Sequence, residues 1–472
     1  MVSSHRDSMH EATIDGSRGG AGGRVRWLIC LLLFFSVAIN YVDRLIIGIL
    51  KRPLSVELGW SEGDYGMIAA FFSFAYAFGY LIGGWSIDRL GVKRGLPLFM
   101  LLWSIAAAAH GLVSLVDRQQ VLRLSCPWFG RAEQGAAWAT LALPMTAAGF
   151  ILARVALGLT EGANFPAAIR TVAEWFPTRE RALAIGWFNA GTNVGAILCP
   201  IAVPWIYARF GWAATFYITG SLGFLWLLAW AFAYEEPDRH PWLSSAERRF
   251  IQSGQPAIEE PAEAMRWRAI LGHRAVWAFI VASILAGPAW GFYQFFVPDF
   301  LGQRFGLSLE ATGGWTGVFF ALAAVGGVCG GWLAEVLLRS GRSLAAGRKI
   351  ALLACALAVL PVCLAPFAPG VVTAVLLVGL AGAAHQGWSA NLYGLLSDCL
   401  PKAAISSAVG LGGFLCYFTG GFVNALTGQL LERSGSYVPV FAYFSVTYLA
   451  SLACIQLLVP RVSGGGPPAA AP

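Results

Sequence analysis

Charge is scarce in this chain: only 12% of its 472 residues are Asp, Glu, Lys or Arg, against about 25% in an ordinary soluble domain. With 57% of residues hydrophobic, that scarcity excludes a soluble globular fold and makes the chain a polytopic membrane protein. Other absences narrow the chemistry. No HExxH, P-loop or Walker-type glycine loop occurs, which removes the usual routes to a membrane protease or an ATP-driven pump, and no nucleophile and base pair marks an enzyme. Nine cysteines show neither metal-ligand spacing nor a paired framework; Cys30, Cys199, Cys329, Cys355, Cys363, Cys416 and Cys454 fall in apolar runs and read as small core residues. The net charge of +7 is spread over short connections and forms no basic face, so no nucleic-acid partner is expected. Residues 1–26 lack the apolar core and small-residue cleavage site of a secretory signal and are expected to be a disordered tail.

Apolar runs long enough to span a bilayer, roughly 20 residues each, number twelve, from 27–50 to 437–459. They predict an all-α integral membrane protein. The expected organisation is a six-helix bundle over 27–233 with an external insertion at 117–145, a cytoplasmic linker at 234–274, a second six-helix bundle over 275–459 and a tail at 460–472. The insertion is longer than a tight connection requires and is expected to carry a short interfacial helix. Lys and Arg concentrate in the tail and in the connections that share its side, which predicts cytoplasmic termini. The halves echo each other: Gly84, Trp85 and Asp88 close the second run, and Gly331, Trp332 and Glu335 close the eighth at the same offsets. A parallel six-plus-six repeat with a solute site between the halves follows.

Four ionisable residues sit where hydrocarbon should be. Asp43 and Arg44 lie inside the first run, and Arg154 and Glu161 inside the fourth. Each charge at a helix centre costs about 2.5–3.5 kcal/mol on the insertion scale, so four facing lipid would cost roughly 10 kcal/mol. They must face a polar interior. Arg154 and Glu161 are seven residues apart, on one helix stripe about 10 Å along the axis, with room between them for an anionic solute. A guanidinium is a permanently charged planar fork suited to carboxylate, so Arg44 or Arg154 can hold an organic anion. A buried carboxylic acid holds its proton more or less readily according to whether the neighbouring guanidinium is occupied, which is a coupling mechanism. The alternative is a structural pairing of Asp43 with Arg44 and of Arg154 with Glu161. Hydroxyl-bearing parts of a solute need donors, acceptors and aromatic platforms; Tyr76, Asn193, Gln294, Gln386, Trp388 and Asn391 supply them. His110 and His385 are left outside the core site, since each reads more simply as an interhelical hydrogen-bonding group.

The loop GGWSIDRLGVKRG places Gly84, Asp88, Arg89, Gly91, Lys93 and Arg94 in the spacing G-x3-D-R-x-G-x-[KR]-[KR]. There glycine permits close helix approach and the acid can cap a helix or pair with a cation. In this loop the chain resembles the major facilitator superfamily. The stretch RVALGLTEGANFPAAIRTVAEWFPTRERALAIGWFNAGTNVGAILCP, with NYVDR at 40–44, WSIAAAAHGL at 103–112, PAWGFYQFFVPDFL at 288–301 and AHQGWSAN at 384–391, is similar to the anion:cation symporter branch and, within it, to bacterial hexuronate and sugar-acid permeases. The insertion after Val116 departs from that pattern. The resemblance implies two pseudo-symmetric six-helix bundles in a bacterial inner membrane, proton-coupled import of a hexuronate or related sugar acid, proton-coupling roles for Asp43 and Glu161, and solute contacts at Tyr76 and Asn391. It implies no cofactor beyond the coupling proton, and a monomer. Pro288 stands where related vesicular carriers have an Arg, which favours a monoanionic sugar acid. A different organic anion, or a sensor without flux, are the alternative readings.

Overall fold

The computed structural model describes residues 24–125, 140–253, 267–340, 342–400 and 402–459. The first half comprises α1 (Val25–Ile49), α2 (Lys51–Leu58), α3 (Glu62–Leu90), α4 (Val92–Leu112), α5 (Met145–Glu161), α6 (Asn164–Trp175) and α7 (Thr178–Ala233), with strands β1 (Val121–Ser125) and β2 (Thr140–Pro144) between α4 and α5. Two short helices, α8 (Ser245–Ser253) and α9 (Trp267–Gly272), precede the second half. That half holds α10 (Arg274–Ala286), α11 (Pro288–Phe295), α12 (Val297–Phe305), α13 (Leu309–Arg339), α14 (Leu344–Val359), α15 (Val371–Cys399), α16 (Lys402–Ser434) and α17 (Val438–Leu458).

Among the described residues, 10 helices are long and apolar enough to cross a membrane. Two local features bring the passages to the expected twelve. Gly211, at φ 77° and ψ 174°, breaks the 56-residue α7 into a fifth and a sixth passage. The fourth passage is shared by α5 and α6, which meet at Gly162 and Ala163. The seventh is also segmented: Pro288 opens α11 and Pro298 falls in the first turn of α12, positions where a missing N–H costs nothing. Helix ends follow local chemistry. Ser61 caps α3, its hydroxyl accepting from Asp64 N–H at 3.1 Å while the Asp64 carboxylate accepts from Ser61 N–H at 2.9 Å, a reciprocal capping box. Gly91, at φ 72°, turns the chain between α3 and α4, a conformation that L side chains resist.

The chain is thus an all-α integral membrane protein of two six-helix bundles. The described ends of the insertion are extended. Residues 121–125 and 140–144 form an antiparallel ladder, with Leu122 opposite Leu143 and Leu124 opposite Leu141, which the sequence reading did not anticipate; the short interfacial helix expected within 117–145 could fall only on residues outside the described ones. Residues 126–139, the linker segment 254–266 and the tails at 1–23 and 460–472 lie outside the described residues.

Close helix approach does rest on glycine, but one residue earlier than the loop pattern suggested. A Cβ on Gly83 would lie 2.5 Å from Ala163 Cα, whereas one on Gly84 would meet nothing nearer than Pro166 Cβ at 3.9 Å. The repeat is preserved: Gly330, the residue before Gly331, would meet Gly387 Cα at 2.3 Å. Gly79 and Gly326, one turn back, press likewise on Leu159 and Ala383. The second and eighth passages therefore each carry a G-x-x-x-G face, packed on the fourth and tenth. Gly83→Val is expected to cost about 1–3 kcal/mol by overpacking and to lower the thermal midpoint in detergent measurably. Gly84→Ala should leave that midpoint unchanged, and equal effects of the two would contradict this packing.

Candidate functional site: a buried charge cluster beside a central cavity

The four intramembrane ionisable residues converge. Asp43 and Arg44 come from α1, Arg154 and Glu161 from α5, and each is at most 2% exposed. The pairing crosses helices and is not the one written along the sequence. Arg44 Nη2 donates to Glu161 Oε2 at 3.4 Å and to Asn40 Oδ1 at 3.0 Å. Arg154 Nη1 donates to the Arg44 carbonyl at 3.3 Å, and Asp43 Oδ2 accepts the Trp103 indole N–H at 3.2 Å. Tight contact of α3 with α5 makes this possible: a Cβ on Gly158 would lie 2.7 Å from Phe72 O, and one on Gly162 2.4 Å from the Gly79 carbonyl carbon.

Aromatic rings supply much of the remaining surroundings. The Arg44 guanidinium lies 4.3 Å from the Tyr76 ring centroid, 5.1 Å from that of Tyr41 and 5.7 Å from that of Phe72. Arg154 lies 5.2 Å from the same Phe72 ring. Cation–π attraction strengthens where water is excluded, so these rings offset part of the cost of burying two guanidinium groups. The hydrogen-bonding capacity is not exhausted. Asp43 Oδ1, Arg44 Nε, Arg154 Nε and Nη2, and Glu161 Oε1 are buried with no partner among the described residues. Buried polar atoms are ordinarily satisfied, and a group of such atoms on both acids and both bases leaves acceptors for a proton and donors for an anion.

Two adjoining cavities lie beside the cluster, the smaller of them reached by Arg44. The smaller, about 190 Å³, is lined by Arg44, Tyr76, Asn40 and Asn164. The larger, about 590 Å³, lies between the halves and is lined by Asn193 of α7, Gln294 of α11, and Gln386 and Trp388 of α15. Tyr41, Asn189, Thr192, Tyr393 and Tyr417 line both. Of the site residues expected from sequence, Arg44, Tyr76, Asn193, Gln294 and Trp388 therefore stand on a cavity wall. Asp43, Arg154 and Glu161 line neither cavity and sit behind Arg44.

Asn391 belongs elsewhere. Its amide donates to the carbonyls of Gly330 and Gly387, both at 2.9 Å, which ties α15 to α13 at the glycine contact described above. His110 is likewise interior, its Nδ1 2.9 Å from the Ala106 carbonyl. His385 lines the larger cavity, stacked on Trp290 at 5.2 Å with Nδ1 2.6 Å from the Tyr448 hydroxyl. Sequence reasoning missed Tyr41, Asn189, Thr192 and Tyr417. The spacing of Asn189, Thr192 and Asn193 at i, i+3 and i+4 was a usable signal, since three polar residues on one face of a spanning helix need a polar neighbour.

The basic loop lies apart from this site. Arg89 lies over the Trp85 ring at 4.1 Å. Lys93 donates to Glu235 at 2.5 and 2.7 Å, and its hydrogen bond holds that carboxyl below its usual range. The pairing is therefore present at neutral pH and is lost only as the pH falls through the lowered value. Arg94 is exposed, and the Asp88 side chain lies outside what the structure describes.

Twelve spanning helices in two bundles, a cavity between them and buried charge on its wall define a membrane transporter architecture. The chain belongs to the Major Facilitator Superfamily, whose family model matches residues 33–425. It is 29% identical over 426 residues to the hexuronate transporter of Escherichia coli strain K12, covering 89% of this chain and 91% of that one. It is 30% identical over 311 residues to the galacturonate transporter of Dickeya chrysanthemi, covering 66% and 81%. The crystal structure of a D-xylose-proton symporter superposes with a TM-score of 0.70 at 16% identity, over 93% of this chain and 99% of that one, which shows the shared fold.

Arg44→Gln should leave Glu161 buried without its cation, at a cost of about 3–5 kcal/mol. The double variant Arg44→Gln/Glu161→Gln should regain most of the lost thermal stability. Additive losses in the double variant would show that the two side chains do not interact.

Proposed function

We propose that this protein imports a hexuronate or related sugar-acid monoanion together with protons, by alternating access in a bacterial inner membrane with both termini cytoplasmic. The observation that carries the reading is the relay from cavity to carboxylate: Arg44 reaches a cavity wall while the same Nη2 contacts Glu161 at 3.4 Å. An anion on the cavity side of Arg44 competes with Glu161 for its charge, so loading favours a protonated Glu161 and release favours proton loss. Asp43, held by Trp103, is the second proton site. The relatives named as hexuronate and galacturonate transporters support the substrate class.

The charge distribution supports one anionic end and one neutral end. Arg44 faces the smaller cavity from the first half, whereas the second half contributes Gln294, Gln386 and Trp388 to the adjoining larger cavity and Tyr417 to both. Carboxylate binds at the guanidinium; hydroxyls and ring meet amides and aromatic faces. Asp88 and the basic residues after it govern the conformational step and not solute binding.

The deciding measurement is uptake of labelled glucuronate and galacturonate into proteoliposomes under an imposed pH gradient, with and without a protonophore. Accumulation should require the gradient and collapse with the protonophore; gradient-independent accumulation would refute coupling, and uptake of neither acid would refute the substrate class. Glu161→Gln should lose uphill accumulation yet retain solute exchange, because it keeps shape and removes the titrating group. Accumulation at the wild-type level in that variant would remove Glu161 from the coupling role.

A further inference from the structure

The central site leaves a second buried cation unexplained. Lys51 follows α1 at the first residue of α2, and it is 1% exposed although it lies at the end of a spanning helix. Its ammonium is in very close contact with the Asp299 carboxylate of α12, donates to Glu62 Oε2 at 2.6 Å and approaches the Tyr437 hydroxyl at 3.3 Å. The Tyr65 and Phe296 rings lie 5.0 and 5.4 Å away. Asp299, itself 4% exposed, also accepts from the Tyr437 hydroxyl at 2.5 Å and from Gln303 Nε2 at 2.9 Å. Lys51, Glu62 and Tyr65 belong to the first half; Asp299, Gln303 and Tyr437 belong to the second.

Neighbouring contacts join the same two halves at the same end. The Tyr65 hydroxyl donates to the Phe295 carbonyl at 2.7 Å, and Arg52 Nη1 to the Gly302 carbonyl at 3.2 Å. The Glu432 carboxylate of α16 accepts from Gly63 N–H at 3.1 Å and from the Ser61 hydroxyl at 3.3 Å. Glycines let the backbones meet there: a Cβ on Gly48 would lie 2.5 Å from Gln294 O, and one on Gly66 2.8 Å from Gly428 Cα.

We propose that Lys51, Asp299 and Tyr437 form a polar clasp that holds this end of the two bundles shut, and that the clasp must part for the cavity to open on that side. The inference rests on alternating access. On the orientation that the Lys and Arg distribution favours, the clasped end faces outward. An ion pair suits this task because its energy changes little when the halves separate: attraction in the dry interface is lost, but both charges regain hydration. An apolar seal of the same area would expose its surface to water on parting. Removing Asp299 is different: Lys51 keeps Glu62 of its own half but loses its charge partner across the halves, so only the shut form is weakened and the population shifts toward opening.

The test uses the full chain in lipid nanodiscs, with its nine native cysteines replaced and spin labels placed at Val56→Cys and Glu310→Cys, one exposed position on each half. Asp299→Asn should raise the long-distance fraction several-fold over the parent in pulsed electron resonance. Tyr437→Phe, which removes one hydroxyl and no volume, should give a smaller rise, and Asp299→Glu should return the distribution most of the way to the parent. Parent-like distributions in both Asp299→Asn and Tyr437→Phe would overturn the clasp. Alternating access is tested separately, by whether the parent's own distances redistribute on addition of glucuronate.

Discussion

A guanidinium shared between a carboxylate and a cavity, deep in a bundle whose other buried charges are gathered around it, is the constraint that shapes this molecule. Arg44 cannot be buried alone, because an isolated ion in a low-dielectric interior costs more than the fold can supply. Glu161 must therefore come within reach, which fixes α5 against α1, and Asn40 and the rings of Tyr41, Phe72 and Tyr76 complete the surroundings. The small residues follow from the same requirement. Gly158 and Gly162 allow α5 to lie against α3 at backbone distance, so that Arg154 meets the Phe72 ring while Glu161, two turns on, reaches Arg44. A bulky residue at either glycine would press on the backbone of Tyr76 or Tyr80, which line the smaller cavity, and would move α5 with its carboxylate.

The cluster is asymmetric although the fold is pseudo-symmetric. The glycine faces of α3 and α13 repeat, but the charges do not. Where Arg44 stands on the first half, the second presents amides and aromatic groups, with His385 held by Trp290 and Tyr448. A duplicated scaffold with charge retained in one copy orients a guest that has one anionic end. It also keeps all four ionisable groups of the cluster within one bundle.

How much of this was legible in the sequence depended on the kind of force involved. Asp43, Arg44, Arg154 and Glu161 stood out because a charge in an apolar run has a large and unambiguous cost, and the structure brings all four together. The partner of each did not stand out: neighbours along the helix suggested Asp43 with Arg44, whereas the contact crosses from α1 to α5. Gly84 and Gly83 are both glycine, and only the helix rotation decides which one faces Ala163. Asn391 was assigned to the solute because a buried amide is chemically suited to hydroxyls, yet it is equally suited to backbone carbonyls, and two lie within reach. Tyr41 and Tyr417 were missed because tyrosine is unremarkable in a membrane helix until the opposing half is in place. Lys51 sat at the edge of an apolar run, where lysine ordinarily reaches for water, and nothing local betrayed that α12 and α17 would close over it.

The contact between the two bundles is graded by side-chain size along one helix pair. At the clasped end, α3 and α16 meet at Gly66 and Gly428 with no side chain between the backbones. Further along, the Phe74 ring intervenes, 5.3 Å from Phe418 and 5.0 Å from Phe422, and beyond it Phe78 faces Phe414 at 5.4 Å. Backbone contact at one end gives way to ring contact further along, where the Phe74 ring lies against Gly421 of α16. The glycine contact and the polar clasp therefore hold the same end of the two bundles. An ion pair can exchange its partner for water, so the clasped end is held by groups that part at small net cost.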